Sequence, residues 1–195
     1  MGTTQEFSSI YGRWLTGATA LLAVVAMVVT LLQEGAEQTL RLLPVTGAIV
    51  LVVWALFWRP AVEVSDGEIV VRNVLATVRI PWPAYRGVTV KYSLVLHTTG
   101  RDVTAWAAPR SSATGRWLRS SRRRPASAEP RREHGSAEAV AEAVVDRHDA
   151  LAAAGYLRGA EVARVAGDLR PVRSWHWATI AGTVVLAALA TVTLG

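Results

Sequence analysis

The chain contains no cysteine. That absence excludes a disulfide framework, a thiolate zinc site, an iron–sulfur cluster and a cysteine nucleophile, while it leaves the redox compartment open. Lysine is nearly as scarce, because Lys91 is the one lysine among 21 basic residues and the others are arginine. The abundance of arginine and alanine is typical of a GC-rich genome, so part of the arginine content reflects codon usage rather than a selected chemistry.

The sequence also lacks the motifs of common catalytic sites. It has no G-x-x-x-x-G-K-[ST], no G-x-G-x-x-G, no H-E-x-x-H and no G-x-S-x-G. Asp146-Arg147-His148-Asp149 is the nearest approach to a metal cluster, but neighbouring residues on a helix point in different directions. We therefore interpret His148 as a packed side chain with charged neighbours, and we predict no enzyme activity, no cofactor and no metal.

Long runs without a charged residue dominate both ends of the chain. Residues 15–32 and 42–58 form two such runs, and residues 177–194 form a third within a segment that starts at 175. An 18-residue helix is about 27 Å long, close to the ~30 Å of a bilayer core. We predict a membrane hairpin over residues 1–58, with a frayed polar start up to Gly12 and a loop at 33–41, and a third transmembrane helix over 175–195.

The distribution of basic residues predicts the orientation. Residues 59–173 hold 19 basic and 12 acidic residues, whereas the 33–41 loop holds one basic and two acidic residues. The positive-inside rule places the larger region in the cytoplasm and the short loop and the C-terminus outside. Five aromatic residues then flank the helices at the cytoplasmic interface: Tyr11, Trp14, Trp58, Trp175 and Trp177.

Residues 59–109 have the pattern of an antiparallel β-meander. Apolar residues alternate with polar ones in short segments, as in 74–80. Asp66-Gly67 is a hairpin signal, since both residues tolerate a positive φ. Pro81 and Pro83 end a strand on either side of Trp82. Six short strands in about fifty residues indicate a small β-domain.

The chain after the meander divides into three parts. Residues 110–135 have the composition of a disordered, arginine-rich linker. Residues 136–155 are predicted to form an amphipathic helix that ends at Gly155, with its apolar stripe formed by Ala137, Val140, Ala141, Val144, His148 and Leu151. Residues 156–174 are a juxtamembrane connector, in which 159–171 is either a strand or irregular chain.

A meander followed by one helix is the outline of a pleckstrin-homology (PH) barrel, and particular residues strengthen the likeness. They are Arg72-Asn73, Ile80-Pro81-Trp82 and Trp106, within Trp58–Pro109. This stretch resembles the bacterial PH-domain family of actinobacterial membrane proteins, which includes the low-molecular-weight protein antigen six group. The resemblance implies an α + β membrane protein with three transmembrane helices and a PH-like meander capped by the helix; it implies no reaction. The arginine-rich insert departs from the family pattern.

The arginine-rich linker is the candidate binding segment, since eight arginines lie in 23 residues. The candidate contacts to anionic lipid are Arg116, Trp117, Arg119, Arg122, Arg123 and Arg124. A solvated loop that only sets topology is the competing interpretation, and contact with nucleic acid is a third. Trp82 and Trp106 are predicted to pack in the core or at its rim rather than to bind a ligand.

Together these features predict a multi-pass plasma-membrane protein whose N-terminus and PH-like domain are cytoplasmic. Without site chemistry, the expected role is interaction with a protein partner or a second copy of the chain. The alternative is an anionic-lipid sensor that acts through the arginine-rich linker. A nucleic-acid partner is not expected.

Overall fold

The computed structural model describes residues 3–109, 136–157 and 170–194. The protein is of the α + β class, with a long apolar helical segment near the N-terminus and antiparallel sheets. Its residues form two compact units. The β-unit comprises Met1–Ser9 and Pro60–Ser174, and the helical unit comprises Ile10–Arg59 and Trp175–Gly195.

The described part of the β-unit contains eight strands, an α-helix of 17 residues and a 3-10 turn, Trp82–Ala84, between the fourth and fifth strands. The strands are β1 Gln5–Ser8, β2 Ala61–Val64, β3 Glu68–Arg72, β4 Ala76–Pro81, β5 Tyr85–Val90, β6 Ser93–Thr98, β7 Val103–Pro109 and β8 Val172–Trp175, and the helix is α2 Ala137–Ala153. The six strands predicted between residues 59 and 109 are therefore confirmed. Pro81 ends β4, as expected of a residue without a backbone donor.

The strands form two sheets, ordered β1-β2-β3-β4-β8 and β5-β6-β7. Neighbouring strands from β1 to β4 and from β5 to β7 are antiparallel. Alternate residues are buried in β4, where Ala76, Val78 and Ile80 point inward, and in β6, where Leu94 and Leu96 do so. Side chains from both sheets meet in one core.

The first strand corrects the prediction of a frayed N-terminal segment. Residues Gln5 to Ser8 pair with Val64 to Ala61, and Phe7 is only 2% exposed. The prediction was wrong because four residues give too short a pattern to recognise, and because the partner strand lies beyond some fifty helical residues. A long-range pairing of this kind leaves no local signal.

The last strand lies just after the interval of the connector whose structure the sequence leaves open. β8 spans Val172–Trp175 and extends the larger sheet beside β4. The Ser174 hydroxyl donates a hydrogen bond of 3.3 Å to the Thr77 carbonyl. β8 begins just after the 159–171 interval, of which residues 159–169 lie outside the described residues. The strand includes Trp175, which the sequence predicts to belong to the third helix.

The Asp66-Gly67 hairpin is confirmed, but its expected backbone geometry is wrong. Neither residue has a positive φ. Instead, the Ser65 hydroxyl donates to the Glu68 carbonyl at 2.8 Å and accepts from the Glu68 amide at 3.2 Å. A side-chain hydrogen bond closes the turn where a left-handed residue was expected.

The helix α2 packs its apolar stripe into the core. The side chains of Ala137, Val140, Val144 and Leu151 are all buried. Ser136 caps the N-terminus, since its hydroxyl accepts from the Ala139 amide at 3.3 Å. Gly155 has a φ of 80° just beyond the C-terminus, which confirms the predicted glycine stop.

The helical unit begins with α1, Ile10–Val53, which continues as a π-helical turn, Trp54–Trp58. Gly35 interrupts α1 with φ 83° and ψ −178°, a conformation that favours glycine. The predicted loop over 33–41 is otherwise helical. The break at Gly35 divides the helical segment into a first arm that starts at Ile10 and a second arm that ends at Trp58. The two arms run side by side, since Thr46 of the second arm contacts the sulfur of Met27 of the first arm at 3.5 Å.

The arms approach each other closely at their other end. A Cβ atom on Gly12 would lie 2.2 Å from the Phe57 carbonyl oxygen, so only glycine fits there without a shift of the backbone. The final helix, α3 Trp177–Leu194, packs antiparallel to the second arm. Gly182 lies against Leu51, and Gly47 lies against Leu186. Small residues at these crossings let the helices pack tightly.

Within the described residues, one helical segment, Ile10–Trp58, is long and apolar enough to cross a membrane. Only 6% of its most apolar 18-residue window is buried, unlike the core helix of a soluble protein. Trp177–Thr193 is a shorter apolar helix.

The β1–β2 pairing yields a test with a soluble protein. We expect a fusion of residues 3–8 to residues 61–175 through Asn-Gly to fold, since Ser8 pairs with Ala61 and this dipeptide suits a two-residue hairpin turn. In that fusion, Phe7→Ala should lower the free energy of unfolding by about 3–5 kcal/mol. Glu6→Ala, at an exposed position of the same strand, should change it by less than about 0.5 kcal/mol. Chemical denaturation followed by tryptophan fluorescence measures both, and equal effects would contradict the role of β1.

Candidate interaction surface

The six candidate lipid-contact residues, Arg116, Trp117, Arg119, Arg122, Arg123 and Arg124, all lie outside the described residues. The structure thus leaves the arginine-rich linker as a prediction. The six motif residues are described, and they divide into a buried group and a group near the surface.

Ile80 and Trp82 form the buried group, and Pro81 between them is half-buried. Ile80 and Trp82 are at most 2% exposed. The indole N–H of Trp82 donates to the Ser65 carbonyl at 3.0 Å, so the buried ring leaves no unpaired donor. The prediction that Trp82 packs in the core is confirmed.

Trp82 belongs to an aromatic cluster that joins the sheet to α2. Its ring meets Tyr85 edge to face at 5.8 Å, and His148 of α2 lies 5.4 Å from the Tyr85 ring and 6.2 Å from the Trp82 ring. Burial, and secondarily the negative charge of Asp149, raises the pKa of the Tyr85 hydroxyl. The interpretation of His148 as a packed histidine is confirmed.

Arg147 fastens the same helix to two other parts of the β-unit. Its guanidinium donates to the Asp66 carboxylate at 2.5 Å and to the Thr3 carbonyl at 2.8 Å. The side chain is only 13% exposed, so this ion pair is better shielded than a surface pair. Sequence reasoning treated Arg147 as a surface charge, because nothing local indicates a partner 81 residues away.

Asn73 occupies the junction between the two sheets. Its amide nitrogen donates to the Thr104 carbonyl at 2.7 Å, and its amide oxygen accepts from the Trp106 backbone N–H at 2.8 Å. The Asn73 side chain thus ties the end of β3 to β7 with both halves of one amide. The neighbouring Arg72 is paired with Glu63 across the β2–β3 hairpin.

Trp106 was predicted to pack in the core or at its rim, and its 58% exposed side chain excludes the core. Alternation along β7 accounts for this, since Val103 and Ala105 point into the core and Trp106 points outward. Two other large apolar side chains, both in turns of the β-unit, are also exposed: Leu75 at 50% and Tyr92 at 91%. Sequence reasoning singled out neither of them.

A polar network that the sequence reasoning also missed crosses the smaller sheet. Thr89 Oγ1 lies 2.7 Å from His97 Nε2, and His97 Nδ1 lies 3.0 Å from Asp102 Oδ2. The order of hydroxyl, imidazole and carboxylate is that of a nucleophile, its base and an orienting acid. However, the His97 and Asp102 side chains are 40% and 56% exposed. The network is therefore a cross-strand tie on a solvated face.

The described residues offer no group of three or more histidine, aspartate or glutamate side chains arranged to hold a metal ion. Comparison with known proteins found no matching family model, no matching curated protein and no matching solved structure. The geometry of the chain itself is thus the basis for its functional interpretation.

The junction formed by Asn73 leads to a testable expectation. Asn73→Ala should destabilise the β-unit by about 1–3 kcal/mol, because it leaves the Thr104 carbonyl and the Trp106 amide without this partner. Hydrogen exchange at the Trp106 amide should accelerate. Asn73→Asp is the matched control: it keeps an oxygen for the Trp106 amide and loses only the donor to Thr104, so that amide should stay protected. Unchanged exchange in Asn73→Ala would refute the tie.

Proposed function

We propose that this chain is a non-enzymatic plasma-membrane protein with three transmembrane helices, and that it presents a PH-like domain on the cytoplasmic face for protein interaction or self-assembly. The observation that carries the proposal is the pairing of β1 with β2 across residues 9–60.

Two strands of one sheet occupy the same side of a membrane. The chain between Ser8 and Ala61 must therefore cross a bilayer an even number of times. The apolar segment Ile10–Trp58 is too long and too little buried for a soluble core helix, and its break at Gly35 divides it into two arms that each suffice for one crossing. A cleaved signal peptide would remove β1 from the sheet, which argues against that alternative.

The other end of the β-unit supports a third crossing. β8 joins β4 in the larger sheet, so Val172 lies on the same side as the rest of the domain. The chain then enters α3. A single crossing by α3 puts the C-terminus on the opposite face, in agreement with the excess of basic residues between 59 and 173.

One end of the helical unit has the composition of a membrane interface. Arg13 lies over the Trp58 ring at 5.7 Å, and Arg59 lies over the Trp54 ring at 5.5 Å and also donates to the Thr179 hydroxyl. Tyr11, Trp14 and Trp177 are exposed near the same end. Arginine and tryptophan together favour the headgroup layer, and the basic residues favour its cytoplasmic side.

The PH-like assignment draws support from a β-meander in two sheets and from a helix whose apolar stripe fills their shared core. The role in protein interaction follows from what this domain offers. In the described residues its polar side chains tie strands together, and none of the clusters has the burial expected of a catalytic site. A small folded domain held to a membrane at both ends is suited to recruit or assemble proteins there.

Topology provides the first test, because a cysteine-free chain accepts single cysteines without background. We expect an impermeant maleimide added to intact cells to label Glu34→Cys and Val192→Cys and to leave Gly67→Cys unlabelled until the cells are lysed. Labelling of Gly67→Cys on intact cells would overturn the cytoplasmic location. The Gly67 position is a suitable reporter, since a Cβ there meets no atom within 4 Å.

The arginine-rich linker supports a second candidate function, the sensing of anionic lipid. In nanodiscs with phosphatidylglycerol at low salt, this function predicts slower tryptic cleavage at Arg122–Arg124 than in phosphatidylcholine alone, with the difference lost at high salt. Cleavage that is independent of lipid charge would instead favour the interaction role. Cleavage at Arg101, which is exposed in a turn of the β-unit outside the linker, serves as the internal control.

A further inference from the structure

One row of residues runs across the whole larger sheet. Ser8 pairs with Ala61, Ala61 pairs with Arg72, and Arg72 pairs with Thr77. Ser174 of β8 reaches the Thr77 carbonyl. This row marks one end of the sheet, which we call the anchored end.

The chain passes from the anchored end into helices with very short connections. Ser9 alone separates Ser8 from the start of α1, and Arg59 and Pro60 separate the end of the π-helical turn from β2. Ser174 is three residues from Trp177, the first residue of α3. Because a residue spans at most about 3.6 Å, Ser8, Ala61 and Ser174 are each within about 11 Å of the helix end to which the chain joins them.

Three large, exposed apolar side chains in strands or turns of the β-unit lie around the anchored end; Val145, Tyr156 and Val172 are exposed elsewhere in the unit. Leu75 is in the turn that follows Arg72, and the Trp106 backbone is held by Asn73 in the same turn. Tyr92 is in the β5–β6 turn, next to the position where β6 shifts register against β7. We call Leu75, Tyr92 and Trp106 the apolar rim.

The opposite end of the sheet contains the Ser65–Glu68 turn and the turn that leads to Asp102. Its charges are paired, Asp66 with Arg147 of α2 and Glu68 with Arg79. At the anchored end Arg72 is likewise paired, with Glu63. The apolar rim, rather than charge, therefore distinguishes the anchored end, and exposed apolar side chains favour the headgroup layer of a membrane.

We infer that the apolar rim is a lipid-contact site, with Leu75, Tyr92 and Trp106 seated in the headgroup layer of the membrane that the helices cross. The inference rests on the proposed membrane location and deepens it, because it fixes which end of the β-domain meets the bilayer. Tryptophan and tyrosine combine an apolar ring with a polar group, and this layer accommodates both. The opposite end then faces the cytoplasm, where α2 and the His97 network are accessible to partners.

The full-length protein in liposomes tests the site. A single cysteine replaces Leu75, Tyr92 or Trp106 in three separate variants, and each cysteine carries an environment-sensitive fluorophore. The liposomes contain phosphatidylcholine, with or without phosphatidylglycerol, and a lipid with a 5-doxyl quencher. Gly67→Cys is the matched control, since it is an exposed position at the opposite end with space for a side chain. We expect severalfold stronger quenching and a blue-shifted emission at the rim positions than at position 67.

A label at Val24→Cys separates this inference from the proposed function. Val24 is an exposed position in the middle of the first arm of α1, so a deep doxyl lipid should quench it if the arm spans the bilayer. Quenching at position 24 together with equal, weak quenching at 67, 75, 92 and 106 would overturn the rim alone. Absence of quenching at 24 would overturn the membrane location. A third outcome is that the rim labels are shielded from aqueous iodide, are not quenched by doxyl lipid, and become more shielded as the protein density in the liposomes rises. That outcome would identify a second copy of the chain as the occupant of the rim and would overturn the lipid assignment.

Discussion

The pairing of β1 with β2 is the constraint on which the rest of the structure depends. It joins residues 5–8 to residues 61–64, and the chain between them makes the helical hairpin. The sheet therefore closes only when both arms of that hairpin return the chain to its starting side. Folding of the β-unit therefore depends on the helical hairpin, because neither β1 nor the core position of Phe7 is available to a domain expressed from residue 59 onward.

Further contacts join distant parts of the chain in the same way. Arg147 connects α2 to the Asp66 turn and to the segment that enters β1. Asn73 connects the two sheets. Each of these contacts joins residues that are tens of positions apart in the sequence, so no local sequence pattern indicates it. The loop-closure entropy of such contacts grows slowly with chain length, so a long insertion between β1 and β2 costs little more than a short one.

An element of this fold was predictable from the sequence to the extent that its pattern is contained in neighbouring residues. The six strands between 59 and 109 and the helix α2 have clear periodicity and turn residues, and their approximate positions were predicted correctly. β1 and β8 have four residues each and find their partners across helices or across long intervening segments, so their sequences carry no sufficient pattern. The Asp66-Gly67 turn shows a different limit: the hairpin was right, and Ser65 rather than a positive φ closes it.

The surface was harder to predict than the core for a physical reason. Burial of Trp82 follows from its proline-flanked position at a strand end, where a large ring covers the core and donates to Ser65. Exposure of Trp106 follows only from its phase in β7, and an irregular register there weakens the alternation that would reveal it.

Both edges of the larger sheet continue directly into helices. β1 leads into α1 and β8 leads into α3. An edge strand is normally an aggregation hazard because its backbone can pair with another chain. Here each edge strand is four residues long and is fixed at one end by the helix beside it in sequence, which limits that hazard.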